Sequence, residues 1–164
     1  MIGAGYRGQK ILLAEDDLQE RDGFESLLGF DGHKIEAVES GDAALVRLES
    51  ETFDLVITDY WMPGMNGDQL AVLIKERSPH LPIIMASGSV DPSSTFCASS
   101  PGVDYLLNKP FTLTELREAI SWVLDLYADR WLGGAEVRLL PGGKADGSGV
   151  AGHPLQDRDA RRLR

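Results

Sequence analysis

A doubly wound α/β domain with a five-stranded parallel sheet and helices on both faces is the fold predicted for this chain, and two observations predict it. Short β-rich runs alternate with helical patterns through residues 9–128, and those runs are continuously apolar, as strands buried on both faces are. Right-handed crossovers between such strands wind helices onto both sides of the sheet. In order, the strand candidates are Lys10 to Ala14, Lys34 to Val38, Leu55 to Thr58, Ile83 to Ala86 and Tyr105 to Leu107. Between the first three, Leu18, Phe24, Leu27 and Leu28 recur at helical spacing, as do Ala43, Ala44, Val46 and Leu48. Leu70, Leu73 and Ile74 mark a third helix, whereas Pro92–Ser100, rich in Ser and holding a Pro, is a poor one. The last helix is the clearest. Thr112-Leu113-Thr114-Glu115 is a capping box, and Leu116, Ala119, Ile120, Val123, Leu124 and Tyr127 then line one face.

Length and charge narrow the function classes. The chain has 164 residues, 16 Lys plus Arg against 26 Asp plus Glu, and a formal charge of −10, which suits one domain with a tail. A general basic field for gripping nucleic acid or an anionic membrane is excluded, so no direct nucleic-acid binding and no membrane partner are expected. Cys97 stands alone, no Cys/His cluster has zinc spacing, and no run approaches the length of a membrane helix, which makes the cytoplasm the expected setting.

The charge also divides the chain. Residues 1–128 carry 9 basic and 21 acidic residues, net −12, while 129–164 carry 7 and 5, net +2, with 7 of the 18 glycines. Residues 129–164 therefore read as a disordered tail with too little apolar surface to offset its ordering entropy. Residues 1–9 read as a flexible leader and 10–128 as the domain.

Chemistry gathers where the strands end. The first strand runs into Glu15-Asp16-Asp17 and the third into Asp59, and ligand sites in open parallel sheets lie beyond these carboxyl ends. Taken singly, each acid could cap the next helix, Asp17 most readily. The other strands, however, end in Ser87-Gly88 and in Lys109-Pro110, so useful groups converge on one edge. Clustered carboxylates repel one another unless a cation sits among them, and an all-oxygen acidic site suits a hard ion such as Mg²⁺. Lys109 supplies a point charge for a phosphate and Ser87 a hydroxyl for a phosphoryl oxygen, which points to phosphoryl transfer.

At these residues the chain resembles the receiver domain of two-component response regulators, over residues 10–128. Glu15-Asp16 resembles the family's acidic pair, and Asp59 with the loop through Pro63, Gly64 and Gly67 resembles its phospho-accepting aspartate. Ser87 resembles its Ser/Thr and Lys109-Pro110 its Lys-Pro. The resemblance implies a flavodoxin-like sheet order 2-1-3-4-5 and a cis Lys109–Pro110 bond. It implies that Asp59 accepts a phosphoryl group, with Mg²⁺ held by Glu15, Asp16, Asp59 and the backbone carbonyl of Trp61. The donor would be a phosphohistidine on a sensor histidine kinase or a histidine phosphotransfer protein. Output would be protein contact, a phosphorylation-dependent homodimer included, through the face formed by the family's fourth helix, fifth strand and fifth helix. Such a chain is no enzyme beyond catalysing its own phosphorylation and dephosphorylation. It stands free or forms the C-terminal receiver of a hybrid sensor kinase.

One departure concerns the switch residues, Ser87, Leu106 and Tyr105. The position three residues before the lysine, usually aromatic, is Leu106, and Tyr105 stands one place earlier. Strand alternation points these two to opposite faces, so Tyr105 replaces the missing ring only if the register slips.

Other signals carry less. Gly3-Ala-Gly5-Tyr-Arg-Gly8 matches G-x-G-x-x-G but precedes the first strand, where a dinucleotide fingerprint has to follow one. His33, His80 and His153 lack partner spacing and read as exposed or locally bonded; Asp42, Asp54, Asp68 and Asp104 read as turn, cap or surface acids. Trp61 either shields an acyl phosphate or packs its loop, Trp122 packs or presents the last helix, and Trp131 marks where the tail leaves it. Two other functions compete. A degenerate receiver serving only as a docking module does not need an intact site, and an aspartyl-phosphate hydrolase usually carries a second Asp where Trp61 stands.

Overall fold

The computed structural model describes residues 8–88 and 100–131. Its elements run β1 (Lys10–Ala14), α1 (Leu18–Phe30), β2 (Lys34–Val38), α2 (Gly41–Ser50), β3 (Leu55–Asp59), α3 (Gly67–Arg77), β4 (Ile83–Ser87), β5 (Tyr105–Asn108) and α4 (Leu113–Trp131). All strand pairs are parallel, in the order β2-β1-β3-β4-β5, which is the expected doubly wound order. The leader through Arg7, most of the Pro92–Ser100 segment, Cys97, His153 and the tail from residue 132 lie outside the described residues. α4 itself continues past residue 128 to Trp131.

The period of two along each strand sorts the core into two layers. Ile11, Leu13, Leu55, Ile57, Ile84 and Ala86 face one side, where Phe24 and Leu28 of α1 and Leu116, Ala119, Ile120 and Val123 of α4 cover them. Leu12, Ala14, Val56 and Ile83 face the other, under Ala44 of α2 and Leu70, Ala71 and Ile74 of α3. This two-sided burial is why the strands are apolar throughout rather than alternating. Two residues counted on buried helix stripes are exposed instead, Leu18 in the first turn of α1 and Val46 on α2. Each stripe is satisfied without them, by Phe24 and Leu28 on α1 and by Ala44 on α2.

Caps fix where the helices begin, and hence how they approach the sheet edge. Asp17 accepts from the backbone N–H groups of Gln19 and Glu20, both at 2.9 Å, so this acid caps α1 rather than joining the site. Asn66 and Gln69 form a capping box on α3 that hydrophobic spacing did not disclose. Thr112 and Glu115 form the expected box on α4, at 2.7 and 3.2 Å. No helix among the described residues is long and apolar enough to cross a membrane.

Candidate functional site

Backbone pairing aims the functional groups at one place. β3 and β4 each continue one residue beyond the expected Thr58 and Ala86, so Asp59 and Ser87 are rungs of the sheet rather than loop residues. Asp59 pairs with Ala86, and Ser87 with Asn108. Glu15 N–H donates to Val38 O at 3.0 Å, Tyr60 N–H to Ala86 O at 3.2 Å and Lys109 N–H to Ser87 O at 2.9 Å. These candidate residues are thereby held by neighbouring strands. Behind Asp59, a Cβ on Gly67 would stand 2.4 Å from the Asp59 carbonyl oxygen, so only glycine lets the start of α3 pack this close to the end of β3.

The side chains then converge. Carboxylate oxygens of Glu15, Asp16 and Asp59 lie within 4.8 Å of one another. Glu15 is 2% and Asp59 7% exposed, whereas Asp16 opens to solvent. Lys109 Nζ reaches Glu15 Oε2 at 2.9 Å and Asp59 Oδ1 at 2.8 Å, and it also pairs with Glu20. The second Asp59 oxygen, Oδ2, accepts from the backbone N–H of Trp61 at 2.7 Å. Ser87, 2% exposed, closes the β4 side of the same edge.

Electrostatics follow from this packing. Burial is the largest influence on Glu15 and raises its pKa, Lys109 opposes that, and the neighbouring Asp59 adds to the rise. Burial by itself would lower Lys109, but its hydrogen bonds to Asp59, Glu20 and Glu15 outweigh it and push the ammonium above its ordinary range. Two buried carboxylates with a third at the rim and only one ammonium among them form a site of surplus negative charge. Its donors are all oxygens, which fits a hard divalent cation.

The remaining sequence candidates fall around this centre. Tyr105 packs against Trp122 of α4 with ring centroids 5.6 Å apart and joins the α1/α4 layer, as Leu107 does, leaving Leu106 between them on β5. The register shows no slip there, with Leu106 opposite Met85. The Lys109–Pro110 peptide is cis. The Trp61 indole is 63% exposed and stands edge-on to Tyr60 at 4.7 Å. Two readings are corrected. His33, expected to be exposed or locally bonded, is buried with its Nδ1 unpartnered among the described residues, and Asp104, expected as a turn, cap or surface acid, is half-buried between Lys75 of α3 at 2.7 Å and the N–H of Ile83 at 2.8 Å.

Glu20 was missed. Its one signal lay in the spacing, since Glu20 stands four residues before Phe24 and eight before Leu28, the buried residues of α1, at the exposed first turn of the same helix face.

Fold and site together define a doubly wound α/β module with an acidic, cation-ready pocket and a lysine at the carboxyl edge of its sheet. The chain belongs to the response regulator receiver domain family, whose model matches residues 11–121. It is 42% identical over 140 residues to the response regulator protein FleR of Pseudomonas aeruginosa, covering 84% of this chain but 27% of FleR. It is 35% identical to chemotaxis protein CheY of the same organism, over 71% of this chain and 96% of CheY. The chain thus spans about a quarter of FleR and nearly all of CheY. Among solved structures, a response regulator receiver protein from Sinorhizobium medicae shares 33% identity with a TM-score of 0.66, covering 73% of this chain and 97% of that one. The response regulator TrrA from Thermotoga maritima, solved in complex with Mg²⁺-BeF, shares 28% identity with a TM-score of 0.64, over 70% and 98%.

Proposed function

We propose that this chain is an active phosphorelay receiver in which Asp59 takes a phosphoryl group from a phosphohistidine and the resulting charge alters protein contacts. The observation that carries the reading is the meeting of Asp59 with Lys109 at 2.8 Å inside the Glu15, Asp16 and Asp59 cluster. A carboxylate oxygen of Asp59 attacks phosphorus as the phosphorus–nitrogen bond of the donor breaks, the bonding pair goes to that nitrogen, and the imidazole leaves neutral, keeping the proton its other ring nitrogen already carried. Glu15, Asp16, Asp59 and the Trp61 carbonyl would hold Mg²⁺, which when bound neutralises charge on the transferring group. Lys109 then pairs with a phosphoryl oxygen in place of Asp59 Oδ1, the Trp61 N–H already aimed at Asp59 Oδ2 offers a donor, and Ser87 supplies a hydroxyl from β4. Similarity to a Mg²⁺-BeF-bound regulator supports the ion's identity.

The donor is a sensor histidine kinase or histidine phosphotransfer protein in the cytoplasm. Similarity to the sensor histidine kinase AruS of Pseudomonas aeruginosa, 30% identical over 95% of this chain and 17% of AruS, is in keeping with receivers joined to kinases. Residues 10–128 act as the signalling unit, and redistribution of Lys109 and Ser87 is transmitted through β5, with Leu106 and Tyr105, to α4.

Intact mass after incubation with acetyl phosphate tests the reading. One added phosphoryl group, seen only with Mg²⁺ and absent from Asp59→Asn, supports it. No adduct on the folded wild type, or an adduct on Asp59→Asn, overturns it.

A further inference from the structure

We propose that Glu20 is a positioning residue for Lys109, a counter-charge on the first turn of α1 that holds the ammonium in the unphosphorylated site and competes with the phosphoryl group for it. The inference rests on the receiver reading above and names a regulator of the same site.

Three carboxylates share Lys109, and they are not equivalent. Glu15 and Asp59 are buried and belong to the cluster a cation would occupy, whereas Glu20 is 49% exposed and stands outside it. Glu20 comes from the helix whose next inward residue, Phe24, lies with its ring centroid 6.0 Å from Lys109 Nζ. Phe24 itself packs on Phe111 at 5.2 Å, just after the Lys109–Pro110 bond. The ammonium thus lies over the Phe24 ring of α1, and Glu20, one turn earlier on the same helix, pairs with it.

The consequence is a division of charge. With a cation among the buried acids, Glu15 and Asp59 are neutralised by it, and the ammonium keeps Glu20 as its remaining carboxylate. A phosphoryl group on Asp59 brings up to two negative charges to the same ammonium. Glu20 and the phosphoryl oxygens then repel each other across one lysine. The more strongly Glu20 holds Lys109, the weaker the retention of the phosphoryl group. Removing the Glu20 charge leaves the ammonium undivided.

Glu20→Gln keeps the size and a hydrogen-bonding oxygen and removes the charge. Two readouts are compared with wild type. In metal-free protein, Lys109 labelling by a small amine-reactive reagent is followed by peptide mass spectrometry, with Lys10 and Lys34 as internal standards; about threefold faster labelling confined to Lys109 is expected. With Mg²⁺ present, beryllofluoride titration followed by thermal shift should show about three- to fivefold tighter binding, the gap narrowing at high salt. A merely structural role would change labelling at the standard lysines or lower the melting temperature without beryllofluoride. Unchanged Lys109 labelling, or unchanged beryllofluoride affinity in a variant that binds it, overturns the role of Glu20 and leaves the receiver reading standing. A wild type that binds no beryllofluoride with Mg²⁺ removes that reading and this inference with it.

Discussion

Lys109 Nζ and Asp59 Oδ1 lie 2.8 Å apart with both side chains largely buried, although fifty positions of sequence separate them. β3 and β5 are not neighbours; β4 lies between them, its Ser87 carbonyl accepting from the Lys109 backbone N–H while the Lys109 ammonium reaches Asp59. The ammonium therefore balances surplus acid at the strand ends while remaining available to any anion attached to Asp59.

Removing that ammonium should expose the cost of the acids it balances. Lys109→Met leaves Glu15 buried without its cation, for an expected loss of about 2–3 kcal/mol at neutral pH by urea unfolding. The pH dependence has a definite sign. Glu15 has a raised pKa in the folded state, so that state binds the extra proton, and the penalty shrinks as pH falls through the folded value. Mg²⁺ should restore part of the loss at neutral pH. An unchanged urea midpoint for Lys109→Met without metal would refute the balance.

Asp16 offers the opposite case, an exposed member of the cluster that bears little of the fold. Asp16→Ala should leave the melting temperature nearly unchanged and weaken Mg²⁺ binding by about tenfold or more, read by titration calorimetry. An equal affinity in the two proteins would remove Asp16 from the ligand set.

Strand ends were legible in the sequence because a strand's apolar run and its terminal chemistry are both local. Glu15, Asp16, Asp59, Ser87 and Lys109 could be placed on one edge before any coordinates, since parallel strands end together. Contacts between elements far apart in sequence were less legible. Glu20 drew no reading from the sequence, and Asp104 read as a turn, cap or surface acid, because spacing along one element does not disclose a lysine brought over by the fold. His33 was misread for a similar reason, as its burial depends on where the α1–β2 turn tucks against the layer rather than on its neighbours in the chain.

Gly67 should tolerate no side chain. In Gly67→Ala the methyl group would meet the Asp59 carbonyl oxygen at 2.4 Å, and although the Met85 side-chain end at 3.2 Å can yield, the strand backbone it meets first cannot. A loss of about 2–3 kcal/mol is expected by chemical denaturation, together with weaker Mg²⁺ binding as the end of β3 shifts. Wild-type values for both would mean that α3 moves away without disturbing the site.

His33 should make the fold acid-sensitive. Burial lowers its pKa, Asp31 only partly opposing this, and its Nδ1 has no hydrogen-bond partner among the described residues. The unfolded chain then binds the proton more readily, so stability falls as pH drops from about 6.5 toward the depressed folded value. His33→Gln should flatten the loss of melting temperature between pH 7.5 and 5.5. An identical pH slope in the two proteins would assign the sensitivity elsewhere.

At the end of the sheet remote from the site, Asp104 gathers three donors from different elements, and its removal should loosen all of them together. Its Oδ2 accepts from Lys75 Nζ of α3 at 2.7 Å and from the Ile83 N–H that opens β4 at 2.8 Å, while Oδ1 accepts from Tyr127 OH of α4 at 2.8 Å. Lys75 also lies over the Tyr127 ring, 4.8 Å from its centroid, so α3 and α4 are joined across the sheet edge through one carboxylate. Tyr127→Phe keeps the buried ring and removes a hydroxyl that donates to Asp104 and accepts from Lys75, for about 1–2 kcal/mol. Asp104→Asn removes the charge facing a largely buried ammonium and should cost more, about 2–3 kcal/mol. Because the tyrosine hydroxyl and the carboxylate are partners, the double variant should lose less than the sum of the two single changes, by about 0.5 kcal/mol or more. Strict additivity in urea unfolding would mean that Tyr127 and Asp104 act separately, and the network would then be three independent contacts that share an address.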